Sequence, residues 1–243
     1  MTRERRRRVI WRRRTGLGIV LVAAISFLAG MTDAAGLLIA GSFVSFMSGN
    51  TTRAAVALAD GQPGYAGILL GALWMFVAGN ALGIIIAHNA ARRAFRVLSG
   101  VTVLLSLAAI ITDPDFATLQ FYAIVLAMGL VNAAVEHIEG LPIGLTYVTG
   151  ALSRFGKGIG SWMVGAPRRD WSLQIVPWLG MVSGGICGAF LERALGANVL
   201  WLVCALSAAL AILTFFIPPR LQRRLAPRAP LQAAKMRPTK PGL

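Results

Sequence analysis

Asp33 lies deep inside an apolar run that extends from Leu17 to about Ala40. A carboxylate at that depth costs several kcal/mol if it stays charged and unpaired, so it must find a partner, face a cavity or take up a proton. Ionisable residues in such runs mark ion, proton and solute pathways. Asp33 is therefore the first candidate for binding a cation, a proton or a polar group of a substrate. The alternative role is structural: capping a broken helix, or pairing with a polar neighbour such as Asn132.

Two further segments carry donors and acceptors at the edge of apolar runs. Ser45, Ser48, Gly49, Asn50, Thr51 and Thr52 form one; Thr146, Thr149 and Gly150 form the other. Non-helical backbone at membrane depth is tolerated only where it lines water or is buried in protein, and its amides and carbonyls can then bind a solute. These residues predict a re-entrant or broken-helix connector in each place. The plainer alternative is an interfacial turn with a helix cap. Asn80, in the middle of another apolar run, joins a polar interior or cross-links helices.

Enzyme chemistry finds no foothold. There is no HExxH, His88 and His137 fall in different segments, and no serine is paired with a base. His137 and Glu139 lack the Pro-Cys-x-x-Cys that a zinc deaminase needs. Gly156, Gly158 and Gly160 complete neither a dinucleotide nor a P-loop pattern. Cys187 and Cys204 sit in separate apolar segments with no CxxC, which predicts packing roles rather than a metal site or a disulfide framework. No cofactor, no metal and no enzymatic activity are expected.

The segments that carry these residues repeat. Gly30, Asp33 and Ala34 are answered by Gly129, Asn132 and Ala133 at an offset of 99, and Ser48 and Gly49 by Thr149 and Gly150 at 101. Trp74, Gly79 and Gly83 are answered by Trp178, Gly184 and Gly188 at 104 to 105. Short apolar words coincide easily, but three in the same order indicate a duplication. The halves are placed at about 16–96 and 97–217, each unit read as one span, a connector and two further spans. Three spans are odd, so tandem units insert with opposite orientation, the inverted-repeat plan of many secondary transporters. Gly79 with Gly83, and Gly180 with Gly184 and Gly188, put small residues on one helix face and predict close helix packing, a homodimer contact being one use of it.

The elements that must position these groups are membrane spans. Of the 243 residues, 56% are hydrophobic and 14% charged, with mean hydropathy +0.69, which does not suit a soluble surface. Six stretches of roughly 20 apolar residues qualify as spanning helices: about 16–40, 64–88, 97–112, 116–136, 172–192 and 198–217. The net charge of +15 does not point to nucleic acid, because the basic residues sit in blocks between the spans. With both termini in the cytoplasm, 22 of the 24 lysines and arginines fall on that side, leaving Arg53 and Arg193 outside with Asp113 and Asp115. The first connector is then outside and the second inside. The arginines before Thr15 resemble a twin-arginine leader, a reading rejected because the apolar run continues past Asp33 and its motif recurs.

The expected organisation is a basic cytoplasmic N-terminus at 1–15, an all-α membrane domain of about six helices at 16–217, and a basic, proline-rich cytoplasmic tail at 218–243 lying against anionic lipid. Gly30, Asp33 and Ala34, then Phe43 to Thr51 with Ser48, Gly49 and Asn50, and Thr149 with Gly150, resemble the YoaK-like bacterial membrane proteins (domain of unknown function 1275). The resemblance covers about 16–217 and implies a six-helix inner-membrane protein of open function; Ser48 stands where threonine is usual, which keeps the hydroxyl. The expected activity is transport of a small solute or ion at Asp33, Ser48, Gly49, Asn50, Asn132, Thr149 and Gly150. The alternative is a non-transporting scaffold or sensor acting through its basic ends.

Overall fold

The computed structural model describes residues 3–134, 137–138, 141–142, 148–166 and 171–218. Eight α-helices fill most of them: α1 (Arg3–Ala40), α2 (Met47–Ala59), α3 (Pro63–Ala87), α4 (Arg93–Ile110), α5 (Ala117–Val131), α6 (Val148–Met163), α7 (Ile175–Leu195) and α8 (Val199–Phe215). A two-residue antiparallel ladder, His137–Ile138 with Leu141–Pro142, lies between α5 and α6.

Among the described residues five stretches are long and apolar enough to cross a membrane: Gly16–Ala40, Pro63–Ala87, Arg93–Ile110, Pro114–Val131 and Trp171–Phe215. The last holds both α7 and α8, which part at Gly196, where φ is +58° and a side chain would be strained. Proline starts α3 at a position whose N–H has no helical partner. Between α4 and α5 the Asp113 carboxylate accepts from the Asp115 N–H at 3.0 Å. The buried Gln120 side chain donates to the carbonyls of Ala108 and Ile111, closing the end of α4.

The helices pair in a definite pattern. Gly184 of α7 meets the Phe27 backbone of α1, Gly188 meets Met31, and Gly30 meets Met181, so α1 and α7 run parallel in near backbone contact. Gly129 of α5 meets Phe76 of α3, Gly79 meets Leu126, and Gly83 meets Ala133, so α3 and α5 also run parallel. The Tyr122 hydroxyl on α5 donates to the Ile68 carbonyl on α3 at 3.1 Å. α4 and α8 are antiparallel, with Phe95 edge-on to Phe215 at one end and the Thr102 hydroxyl bonded to that of Ser207 further along. The glycine faces are thus filled from within the chain.

The core between these pairs is built from Ile25, Leu28, Leu98, Leu105, Ile124, Met128 and Leu200, all fully buried. Trp74, Ile85, Phe190 and Leu213 stand on the outside instead, an apolar exterior around an apolar core. A helix bundle in lipid needs both, because lipid tails are as apolar as leucine.

Two expectations shift. The fourth span, read to about 136, leaves the helix at Val131 and turns through Asn132, Ala133 and Ala134, with Arg93 Nε donating to the Ala133 carbonyl at 3.0 Å. The connector words are helical: Ser48, Gly49 and Asn50 lie in the first turn of α2, and Thr149 and Gly150 in that of α6. The irregular backbone of the first connector is limited to 41–46 and the turn at 60–62. That helical turn satisfies its own groups, since the Asn50 N–H donates to the Phe46 carbonyl and the Thr51 and Thr52 hydroxyls donate to those of Met47 and Ser48.

Candidate functional site

Past Ala40 the chain turns back along α1. Asp33 Oδ1 accepts the backbone N–H groups of Val44 at 3.0 Å and Ser45 at 2.8 Å. Val44 packs against Gly36, where an added Cβ would fall 2.5 Å from its side chain. Asp33 precedes the end of α1 by about two helical turns, roughly 10 Å at 1.5 Å per residue. The connector therefore descends to the level of Asp33 before α2 rises again.

Four side chains hold this return. Asn50, fully buried on α2, donates from Nδ2 to the Phe43 carbonyl at 2.7 Å. Arg53 donates to the Gly41 carbonyl at 2.8 Å and lies over the Tyr65 ring, 5.7 Å from its centroid. The Tyr65 hydroxyl is 3.1 Å from that of Ser42. Asp33 completes the set. Asn50 Oδ1 is buried with no hydrogen-bond partner among the described residues. The buried Ser45 hydroxyl stands beside the Asp33 carboxylate without a hydrogen bond of good geometry. Above them Thr52, Arg53, Asp60, Gln62 and Tyr65 line a shallow pocket of about 200 Å³.

The other predicted residues lie elsewhere. Ser48 is exposed, and Gly49 makes room for the Phe46 ring, which stands edge-on to Phe43 at 5.4 Å. Asn132 turns its amide to the Met128 carbonyl of its own helix at 3.4 Å. Thr149 is exposed and Gly150 sits 3.5 Å from the Arg154 guanidinium at its would-be Cβ. Asp33 and Asn50 are thus brought to one connector, whereas Asn132, Thr149 and Gly150 are positioned by α5 and α6. The Thr146 segment and Glu139 fall outside the described residues, as does the proline-rich tail from 219 onward.

Sequence reasoning overlooked Arg53 and Arg154. They stand 101 residues apart, the offset of Ser48 and Thr149, and each anchors its helix: Arg53 to Gly41, and Arg154 Nε to the buried Gln174 side chain at 2.8 Å. The offset was available. In the sequence alone both arginines serve only as markers of sidedness.

All-helical architecture, membrane-length apolar helices and an acidic residue bonded to a returning connector within the first of them define a polytopic, multi-pass membrane protein. The family of proteins of unknown function DUF1275 matches residues 21–213. A UPF0700 transmembrane protein of Rhizobium meliloti (strain 1021) is 53% identical over 224 residues, covering 92% of this chain and 98% of the relative. The chain belongs to the DUF1275 family. No solved structure matches it.

Proposed function

We propose that the protein transports a small solute or an ion across the bacterial inner membrane, using six spans arranged as two inverted halves with both termini in the cytoplasm. The observation that carries this reading is the exchange of partners between the halves. α1 pairs with α7 through Gly30, Gly184 and Gly188; α5, the repeat of α1, pairs with α3, the repeat of α7, through Gly129, Gly79 and Gly83. Both pairs are parallel, as a two-fold axis in the membrane plane requires of inverted repeats. The same correspondence matches α4 to α8 and puts the boundary between halves at the Asp113 turn rather than near residue 96.

Transporters of this plan bind solute near the midplane where helices are interrupted. Here the first interruption is the return of residues 41–46 to Asp33. Its Oδ1 is committed to Val44 and Ser45, so the coordinating oxygen is Oδ2, which neither bond uses. Asn50 borders that opening, Ser48 and Gly49 lie beside it in the first turn of α2, and Asn132, Thr149 and Gly150 are assigned to the pathway from the cytoplasmic side. α5 ends at Val131, before Asn132, whereas α1 continues past Asp33 to Ala40.

The test is thermal stability of the detergent-purified protein, wild type beside Asp33→Asn, against ions, small metabolites and pH. A ligand stabilises the state that binds it. One solute class that raises Tm only in the wild type supports the reading and leads to liposome flux assays. No selective ligand, together with loss of cellular function on deleting residues 220–243, favours the scaffold alternative.

A further inference from the structure

We propose that α6 is an interfacial helix seated in the headgroup layer of an anionic leaflet, and not a second re-entrant arm. Its faces divide three ways. Ala151 and Gly158 are buried, with Gly158 under Trp171 and Arg154 bonded to Gln174, so this face leans on the start of α7. Leu152, Ile159, Trp162 and Met163 recur at i, i+7, i+10 and i+11, which puts them on one side of a helix, and all four are exposed. Ser153, Lys157 and Ser161 recur every four residues on another side, Ser153 and Lys157 exposed.

Neither bulk phase suits this surface. Trp162, Met163 and Val164 are 63%, 75% and 79% exposed in one contiguous patch, which water would leave prone to association. Lys157 and Ser153 face outward beside them, and an ammonium in hydrocarbon is costly. A helix with an aromatic-aliphatic face and a basic-polar face satisfies both by lying in the interface plane. α7, on which α6 leans, likewise exposes the apolar side chains of Leu179, Val182 and Ile186. The occupant of the polar flank follows from charge: Lys157 is exposed with no partner among the described residues, an ammonium suited to phosphate headgroups. The corresponding helix α2 has no such flank, because its one cation, Arg53, is turned to Gly41. The proposal is independent of any transported solute and uses the orientation given above only to name the cytoplasmic leaflet.

The experiment is nitroxide labelling of the full chain, with Cys187 and Cys204 replaced by alanine, at Ile159→Cys, Met163→Cys and Ser153→Cys. All three sites are exposed, and each protein is first required to elute as one species. Collisional access to oxygen and to a water-soluble nickel chelate is measured in phosphatidylcholine vesicles with and without phosphatidylglycerol. The expected result is oxygen preference at 159 and 163, nickel preference at 153, and greater nickel shielding at 163 when phosphatidylglycerol is present. Nickel access at all three sites would overturn the proposal, as would shielding from both reagents at 163 with spin–spin broadening, the mark of a second copy. Oxygen preference at all three would restore the re-entrant arm. Identical shielding with and without phosphatidylglycerol would overturn the anionic headgroup.

Discussion

Asp33 and Asn50 hold the two ends of one peptide unit. The Val44 N–H of the Phe43–Val44 peptide donates to Asp33 Oδ1, and its Phe43 carbonyl accepts from Asn50 Nδ2. In a trans peptide these groups point in opposite directions, so a residue of α1 and a residue of α2 grip the connector from either side. The Ser48-Gly49-Asn50 word is therefore first an anchoring device: Gly49 admits Phe46, and Asn50 fixes the strand that Asp33 receives.

Because the two residues share a peptide, their substitutions are expected to be coupled. Asp33→Ala strands two backbone donors and Asn50→Ala one acceptor, each loss costing about 1–3 kcal/mol where the group stays buried. Once either is lost the connector detaches, so the double variant should cost less than the sum, with a coupling of about 0.5–3 kcal/mol. Asp33→Asn keeps an accepting oxygen and should fold. Unfolding in detergent for the four-member cycle measures this; strictly additive effects would mean that the connector is held by Arg53 and Tyr65 instead.

The glycines of the parallel pairs should be intolerant of even one carbon. At Gly184 and Gly129 an added Cβ meets the carbonyl of Phe27 or Phe76, backbone that cannot swing aside. Gly184→Ala or Gly129→Ala should lower Tm sharply or abolish the monodisperse protein. Gly156→Ala, on the open side of α6 with nothing within 4 Å, should be neutral or stabilising by up to about 1 kcal/mol. Thermal unfolding and gel filtration of the three variants decide the matter.

Sidedness can be read from single cysteines in the Cys187→Ala, Cys204→Ala background. Thr52→Cys on α2 and Ser153→Cys on α6 are both exposed and stand 101 residues apart. An impermeant maleimide added to intact cells should label the first, and the second only after permeabilisation. Labelling of both from one side would remove the inverted arrangement while leaving the helix pairs as they are.

Much of this architecture was legible along the chain. Hydropathy placed α3, α4 and the end of α1 within a few residues, because a span must be apolar along its whole length, but it started the first helix at 16 whereas α1 begins at Arg3. It overran α5, since Asn132, Ala133 and Ala134 are as compatible with a helix as with the turn that Arg93 caps. It misjudged Ser48, Gly49 and Asn50, whose residue types suit the first turn of a helix as readily as a loop.

By itself the sequence determined the class of protein, the approximate spans and the carboxylate that had to find a partner, all of which depend on local composition. The tertiary structure decided which partner Asp33 takes, and it is the returning backbone of Val44 and Ser45 rather than Asn132. It also decided that the glycines of α3 and α7 pack on α5 and α1 within one chain. Those outcomes turn on where distant segments meet, and a row of small residues has the same spacing whichever helix fills it.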